Sequence, residues 1–379
     1  MHKVRLPGTH RAVPPETTWE RIEPWLGRYG ITRVADVTRL DNIGIPVFLA
    51  VRPASETLAV SQGKGASPLL AKLSAVMESV ELWHAERPAL PVFAATPASL
   101  DLPYPLTALN LRVTADWVRE LELPWVMSRS LMDGRPVPVP LDAVRLSYSG
   151  QHFWRSRLFD TSSTGLASGN TFAEACLHGL YEAVERDVLA ARPSHRDAGR
   201  LQIAPDTVRD GHLRSLMARL TDAGVEFHLS CLPNRFGVPT FAALVWSPLF
   251  PLVCAGSGSH LDPVVALSRA LTEAVQSRLT EISATRDDIP SDQDTWRDAS
   301  THAGFPDTGR SWGFDEALRG HGAALDDLEE ELADVTRRIA DATGHAPMAV
   351  ELSDPSEPCS VVRVVCPGLA YTEGRTLSA

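Results

Sequence analysis

The chain has 379 residues, 44% hydrophobic and 22% charged, a composition that fits one large or two to three smaller globular units and excludes disordered and collagen-like classes. A formal charge of −11 excludes a broad basic footprint for duplex nucleic acid, though not a local anion site. No stretch approaches the roughly 18 apolar residues of a membrane-crossing helix. The start, Met1-His2-Lys3-Val4-Arg5, has no apolar signal core, so a soluble, cytoplasmic protein with neither nucleic acid nor membrane as partner is expected.

In chain order, residues 1–30 carry Pro7, Pro14, Pro15 and Pro24 and read as an extended N-terminal arm with one short helix near Trp19 to Gly27. Ile45 to Arg52, between Gly44 and Pro53, reads as a strand. Ser61 to Pro68 reads as a turn. It leads into a helix over Leu69 to Arg87, whose apolar positions Leu70, Leu73, Val76, Met77 and Val80 form one buried stripe. A second helix is expected from about Thr171 to Ala191, and a third from about Pro263 to Thr285 after Gly256-Ser257-Gly258. Strands are expected over Pro239 to Trp246, Met348 to Leu352 and Val361 to Val365. Residues 287–312 are polar and weakly periodic and read as a mobile loop, and residues 367–379 as a C-terminal tail. Leu328, Leu332, Val335 and Ile339 mark an amphipathic helix whose acids read as a solvated face. Short connections between strands predict an α/β (α+β) class with mixed or antiparallel sheets.

Cys176, Cys231, Cys254, Cys359 and Cys366 are odd in number and widely spaced, which fits reduced core thiols rather than a disulfide framework or zinc knuckle. A repeated pattern of acids carries more chemistry. Glu78 and Glu81 stand three apart on the first long helix, and Glu182 and Glu185 three apart on the second. Residues three apart share a helix face, so each pair can aim two carboxylates at one point. Glu174 returns to the same face three turns before Glu185, and the third helix offers Glu273 and Gln276 at the same step. Two such pairs fit convergence on hard cations such as Mg²⁺, or, more plainly, solvated helix faces.

Lys64 stands between Gly63 and Gly65, with Ser61 and Ser67 nearby before a helix N-terminus, a setting that suits anions but is equally that of a surface lysine. Leu58 stands where a Walker A loop needs glycine, and Leu261 where a dinucleotide fingerprint needs its third, so neither motif is present. There is no GxSxG elbow and no HExxH. His84 and His178 on the acid-bearing helices read as packed histidines.

Several segments together resemble the YcaO superfamily. They are Thr32 to Asp41 with Gly44-Ile45-Pro46-Val47, Ser61-Gln62-Gly63-Lys64-Gly65, Ser74 to Glu81, Gly165 to Thr171, Glu174-Ala175, Glu182 to Asp187, and Arg269 to Arg278. The resemblance covers roughly residues 30 to 290 and implies a catalytic domain over 31–379 that binds ATP and Mg²⁺ without a Walker loop. Carried over by position, it implies Glu78, Glu81, Glu182 and Glu185 as Mg²⁺ ligands. Lys64, Ser61, Arg186, Gln276 and Arg278 are implied at the phosphates or in ordering the site, with Lys64, Arg186 and Gln276 as catalytic residues, and Glu174 at the nucleotide. Such enzymes phosphorylate a backbone amide oxygen of a ribosomal precursor peptide. A side-chain nucleophile then gives an azoline, sulfide a thioamide and an amine an amidine.

The end of this chain, Cys366-Pro367-Gly368-Leu369, is not the PxPxP tail of many azoline-forming members, and the arm before residue 30 is too short for an E1-like domain. The Arg39-Leu40-Asp41 and Pro367-Gly368-Leu369 segments resemble the branch that works with a TfuA-type partner and forms thioamides. Thioamidation is the expectation, with azoline-forming cyclodehydratase, amidine formation and an inactive peptide-binding member as alternatives. A TfuA-like or leader-binding partner and a homodimer are implied.

Overall fold

The computed structural model describes residues 1–112, 116–146, 158, 159, 162–191, 199–285, 305 and 310–371. Instead of a plain extended arm, the chain opens with a hairpin, β1 (Val4–Leu6) on β2 (Thr9–Arg11), followed by α1 (Pro15–Ile22) and a 3₁₀ turn at Glu23–Trp25. The helix begins earlier than expected because Pro15 stands at its first position, where the missing N–H costs nothing.

Next comes an antiparallel meander of β3 (Arg33–Asp36), β4 (Val47–Val51) and β5 (Val60–Lys64), then α2 (Pro68–Glu86). The first half of the segment expected to turn, Ser61 to Lys64, is therefore strand, and the turn is confined to Gly65 to Ser67. Ser67 caps α2 by accepting from the Leu70 N–H at 3.3 Å. α2 is buried on most of its circumference rather than along one stripe. β6 (Phe93–Ala95), β7 (Leu123–Ser130), β8 (Pro136–Pro140) and β9 (Leu166–Gly169) follow, and then α3 (Phe172–Ala191).

The third stretch holds β10 (Leu201–Ile203), α4 (Gly211–Asp222), β11 (Glu226–Cys231), β12 (Thr240–Ser247), β13 (Phe250–Ser259) and α5 (Pro263–Ser283). β14 (Ser311–Trp312), α6 (Phe314–Ala317), α7 (Leu328–Thr343), β15 (Met348–Glu351) and β16 (Ser360–Val365) complete it. Within the expected loop, 311–312 instead form a strand parallel to β10; the rest, apart from 305 and 310, lies outside the described residues. Residues 367–371 of the expected tail pack back, with the Ala370 N–H donating to Asp187 Oδ1 at 2.9 Å; residues 372–379 lie outside the described set.

Besides the β1-β2 hairpin, three sheets result among the described residues: β3-β4-β5, β6-β7-β15-β16-β9 with β8 on β7, and β13-β12-β11-β10-β14. All ladders are antiparallel except β10 with β14. The class is mixed α/β, as expected. β5, β9 and β13 each end their sheet, and each is followed by a long helix that packs on it. Small residues permit the approach: a Cβ on Gly63 would stand 2.0 Å from the Ala75 nitrogen, and one on Gly256 2.2 Å from the Ala274 nitrogen. Gly63 therefore serves helix packing. All five cysteines are buried.

A buried ion pair ties the meander to α2. Arg52 reaches Glu86 Oε1 at 2.6 Å and Oε2 at 2.7 Å, and Ser55 and Thr57 also donate to it. Burial would raise the Glu86 carboxyl, but Arg52 and the two hydroxyls hold it down at about 2, below the ordinary 4.5. A depressed acid stabilises the fold above its unfolded pKa and loses that contribution as pH falls through its folded one. Glu86→Gln is expected to cost about 3–5 kcal/mol at pH 7, since Arg52 is left buried without its anion. In urea denaturation the gap to wild type is expected to close between pH 4.5 and about 2.

Candidate active site

The edges of β5, β9 and β13 carry backbone groups that no neighbouring strand satisfies, and side chains of the three long helices supply the partners. On α2, Glu78 accepts from the Gln62 N–H of β5 at 2.9 Å, while Glu81 reaches β9, accepting from Ser168 Oγ at 2.5 Å. On α3, Glu182 accepts from the Gly165 N–H at 3.2 Å, while Glu185 reaches β13, accepting from Ser257 Oγ at 2.6 Å and the Ser259 N–H at 3.1 Å. On α5, Gln276 donates to the Gln62 carbonyl of β5 at 3.2 Å, and Lys64 of β5 pairs with Glu273. Each helix thus lies on the strand before it and reaches the edge of the next, and the third closes back on the first. The three-residue spacing of the acid pairs has a geometric reason: one member serves the helix's own strand and the other the next.

This ring gathers charge. Burial, then the charges of Glu78 and Glu182, push Glu81 up to about 8 against the pull of Ser168. Burial likewise raises Glu182, with Glu185 adding to it and Arg186, 3.8 Å away, opposing. Burial would raise Glu273, but Lys64, Arg186 and Arg269 hold it below the ordinary carboxylate range. Burial and the cations Arg269, Arg11 and Lys64 keep His178 far below its usual value, so it is neutral and accepts from Arg269 Nη2 at 2.7 Å. Acids from α2 and α3 therefore press on one another while Lys64, Arg186, Arg269 and Arg11 stand beside them.

Glu174, 4% exposed, receives the Ala12 N–H at 2.9 Å and Asn170 Nδ2 at 3.2 Å, and Arg11 Nε lies 3.7 Å from it. It is the seam between the N-terminal hairpin and α3.

Among the expected site residues, Lys64, Glu78, Glu81, Glu174, Glu182, Glu185, Arg186 and Gln276 come together. Two do not. Arg278 is 2% exposed and held by Asp41 at 2.8 Å and Ser247 Oγ at 3.0 Å. Two residues beyond Gln276, it falls on the far side of α5. Ser61 alternates with Gln62 and Lys64 along β5, so it shares the face that Gly63 turns to α2; its Oγ is buried without a partner. Arg11, Arg269 and His178 carry no spacing signal that marks them. Arg11 reaches the site only through long-range folding. His84 is a packed histidine, bonded to the Val80 carbonyl at 2.8 Å and Glu357 at 2.9 Å.

Among the described residues no three His, Cys, Asp or Glu side chains form a ready-made metal cage. The acids stand instead as repelling pairs with oxygens engaged by serines and strand edges. The donor set nonetheless fits Mg²⁺ and a triphosphate: hard carboxylate oxygens in excess, which a divalent cation with its own water and phosphate oxygens would relieve, flanked by guanidinium and ammonium groups.

Residues 62–370 match the family described as YcaO cyclodehydratase, ATP- and Mg²⁺-binding. An uncharacterized protein of Mycobacterium tuberculosis is 39% identical over 369 residues, covering 96% of this chain and 83% of that protein. A protein of the tfuA 3′ region of Rhizobium leguminosarum bv. trifolii is 37% identical over 382 residues, covering 95% and 88%. Among solved structures, the YcaO protein of Methanopyrus kandleri bound with AMPPCP and Mg²⁺ superposes with a TM-score of 0.74 at 22% identity, covering 98% and 95%. A heterocyclase in complex with substrate and cofactor superposes with a TM-score of 0.80 at 21% identity; it covers 98% of this chain, which spans 55% of the heterocyclase.

Proposed function

The chain belongs to the YcaO family, and from that premise we propose that it spends ATP to activate a backbone amide oxygen of a ribosomal precursor peptide and installs a thioamide there. ATP and Mg²⁺ are its cofactors. The observation that carries the reading is the closed ring of α2, α3 and α5, which brings a surplus of half-buried and buried carboxylates and four cations to one place. Glu78, Glu81, Glu182 and Glu185 would hold Mg²⁺, which neutralises phosphate charge when bound. Lys64, Arg186, Arg11 and Arg269 would position the phosphates, and Gln276 would fix β5 beneath them. Phosphoryl transfer depends mainly on such positioning and charge neutralisation.

In atom terms, the amide oxygen forms a bond to the γ-phosphorus as the bond to ADP breaks. A hydrosulfide adds to the activated carbon, and phosphate departs with the former amide oxygen. The nitrogen stays in the chain, and no redox partner is required. Sulfide as the nucleophile is favoured by the relative from the tfuA 3′ region, alike over nearly its whole length. That relationship also supports a TfuA-like partner. A cavity of about 430 Å³ beside the first turn of α3, walled by Leu131, Phe172, Leu328 and Leu332 with Arg129 over the Phe172 ring at 4.2 Å, suits an apolar peptide segment next to Glu174.

Co-expression with the precursor and partner, followed by intact-mass measurement of the peptide, tests this. The expected change is the mass gained when sulfur replaces oxygen. Loss of one water per modified residue would assign azoline formation instead, and an unchanged peptide with ATP turnover absent would remove the enzymatic reading.

A further inference from the structure

Sequence periodicity assigns the acids of α7 to solvent, yet Glu331 is fully buried and makes three close contacts, with His260 Nε2 4.0 Å from its Oε1. Lys3 Nζ stands 2.6 Å from its Oε1, Tyr181 O–H donates to the same oxygen at 2.8 Å, and the Leu325 N–H donates to Oε2 at 2.8 Å. Lys3 is as buried as Glu331. A buried ion pair is poor value as a stabiliser, because desolvation opposes its attraction, and its best-attested use is to fix a register.

Here there is a register to fix. In the β1–β2 hairpin Val4, the neighbour of Lys3, pairs directly with Arg11, and Arg5 with His10. A two-stranded hairpin is marginal alone, so something outside it must place it. The Lys3 N–H donates to the Asp326 carbonyl at 3.0 Å, the Leu328 N–H to the Met1 carbonyl at 3.0 Å, and His10 Nε2 lies 3.3 Å from Asp262. Tyr181, the third member of the knot, is the residue before Glu182 on α3. Glu331 therefore clamps the hairpin to the helix that carries the acids.

We propose that the Lys3–Glu331–Tyr181 knot is a positioning device that holds Arg11 at Glu174 and so sets nucleotide affinity; this rests on the reading of the ring as the nucleotide seat. Lys3, Tyr181 and Glu331 touch no reactant and act through Arg11.

The test is calorimetric binding of a non-hydrolysable ATP analogue with Mg²⁺ to the full chain. Lys3→Met and Arg11→Ala are each expected to weaken binding about tenfold, and the combined variant to be no weaker than Arg11→Ala alone, since coupled residues are non-additive. Additive losses would mark the knot as merely structural and overturn the proposal. Because a lone buried charge can unfold a chain, Lys3→Met with Glu331→Met removes both charges. It is expected to stay folded, with a melting temperature lowered only by the Tyr181 O–H and Leu325 N–H left without an acceptor, and to lose affinity; wild-type affinity there would overturn the positioning role. If Arg11→Ala binds as wild type, the nucleotide reading of this corner fails, whereas tight binding in the Lys3 variants alone leaves that reading standing.

Discussion

Glu81→Gln is expected to lower phosphate release from ATP by about 10²–10³-fold, measured with precursor peptide and partner present, and to raise the melting temperature of the metal-free chain by a few degrees. The two effects have one cause. Glu81 is held among Glu78 and Glu182 in a site that disfavours its charge. An amide of the same shape still accepts from Ser168 and relieves the repulsion, but it cannot supply an anionic oxygen to a cation. Glu185→Gln is expected to share the loss of turnover without the gain in stability. Both its oxygens are engaged, by Ser257 and by the Ser259 N–H, so an amide must keep its oxygen on the Ser259 N–H and turn its nitrogen to Ser257 Oγ, which reverses to accept; two charge-assisted bonds are exchanged for weaker neutral ones. If the acids served only to satisfy strand edges, Glu81→Gln would turn over ATP like wild type, and that result would end the metal-ligand reading.

How far the sequence discloses this arrangement depends on the range of the interaction concerned. The long helices are legible because capping and apolar spacing are local: Ser67 with Pro68, and Asp262 with Pro263, mark their starts, and the structure agrees within a residue or two. The acid pairs are legible for the same reason, as a three-residue step is a helix property. What the step cannot disclose is that Glu78 and Glu81 serve two different strands, because β9 lies far along the chain from α2. The segment around Lys64 misleads for a physical reason. Ser, Gly and Lys are turn-forming on propensity, but here glycine is required by the helix lying on the strand, and tertiary packing overrides the local preference. Glu331 misleads likewise: its place among Glu329 and Glu330 reads as solvated, and only Lys3, at the opposite end of the chain, makes its burial tolerable. Arg278 shares a motif with Gln276 yet faces away from it, since two residues along a helix is a turn of about 200°.

Gly63, beside Lys64, carries a large expected effect on folding. Gly63→Ala would place a methyl 2.0 Å from the Ala75 nitrogen, 2.3 Å from the Ala71 carbonyl oxygen and 2.7 Å from the Ala75 Cα. All three are backbone atoms, which cannot rotate away as a side-chain tip would, so α2 must lift from β5. The expected loss is about 3 kcal/mol or more by urea denaturation, at the upper end of overpacking costs. Lifting α2 also separates Glu81 from Ser168 and Glu78 from Gln62, so any folded fraction should bind Mg²⁺ and nucleotide poorly. Gly211→Ala is the internal control: nothing lies within 4 Å of its added methyl, and the position opens α4. There the substitution is expected to be neutral or to stabilise by about 0.4–1 kcal/mol through the unfolded chain. Equal behaviour of the two variants would mean that close strand-to-helix contact does not hold the ring closed. The convergence of the three acid-bearing helices would then need another cause.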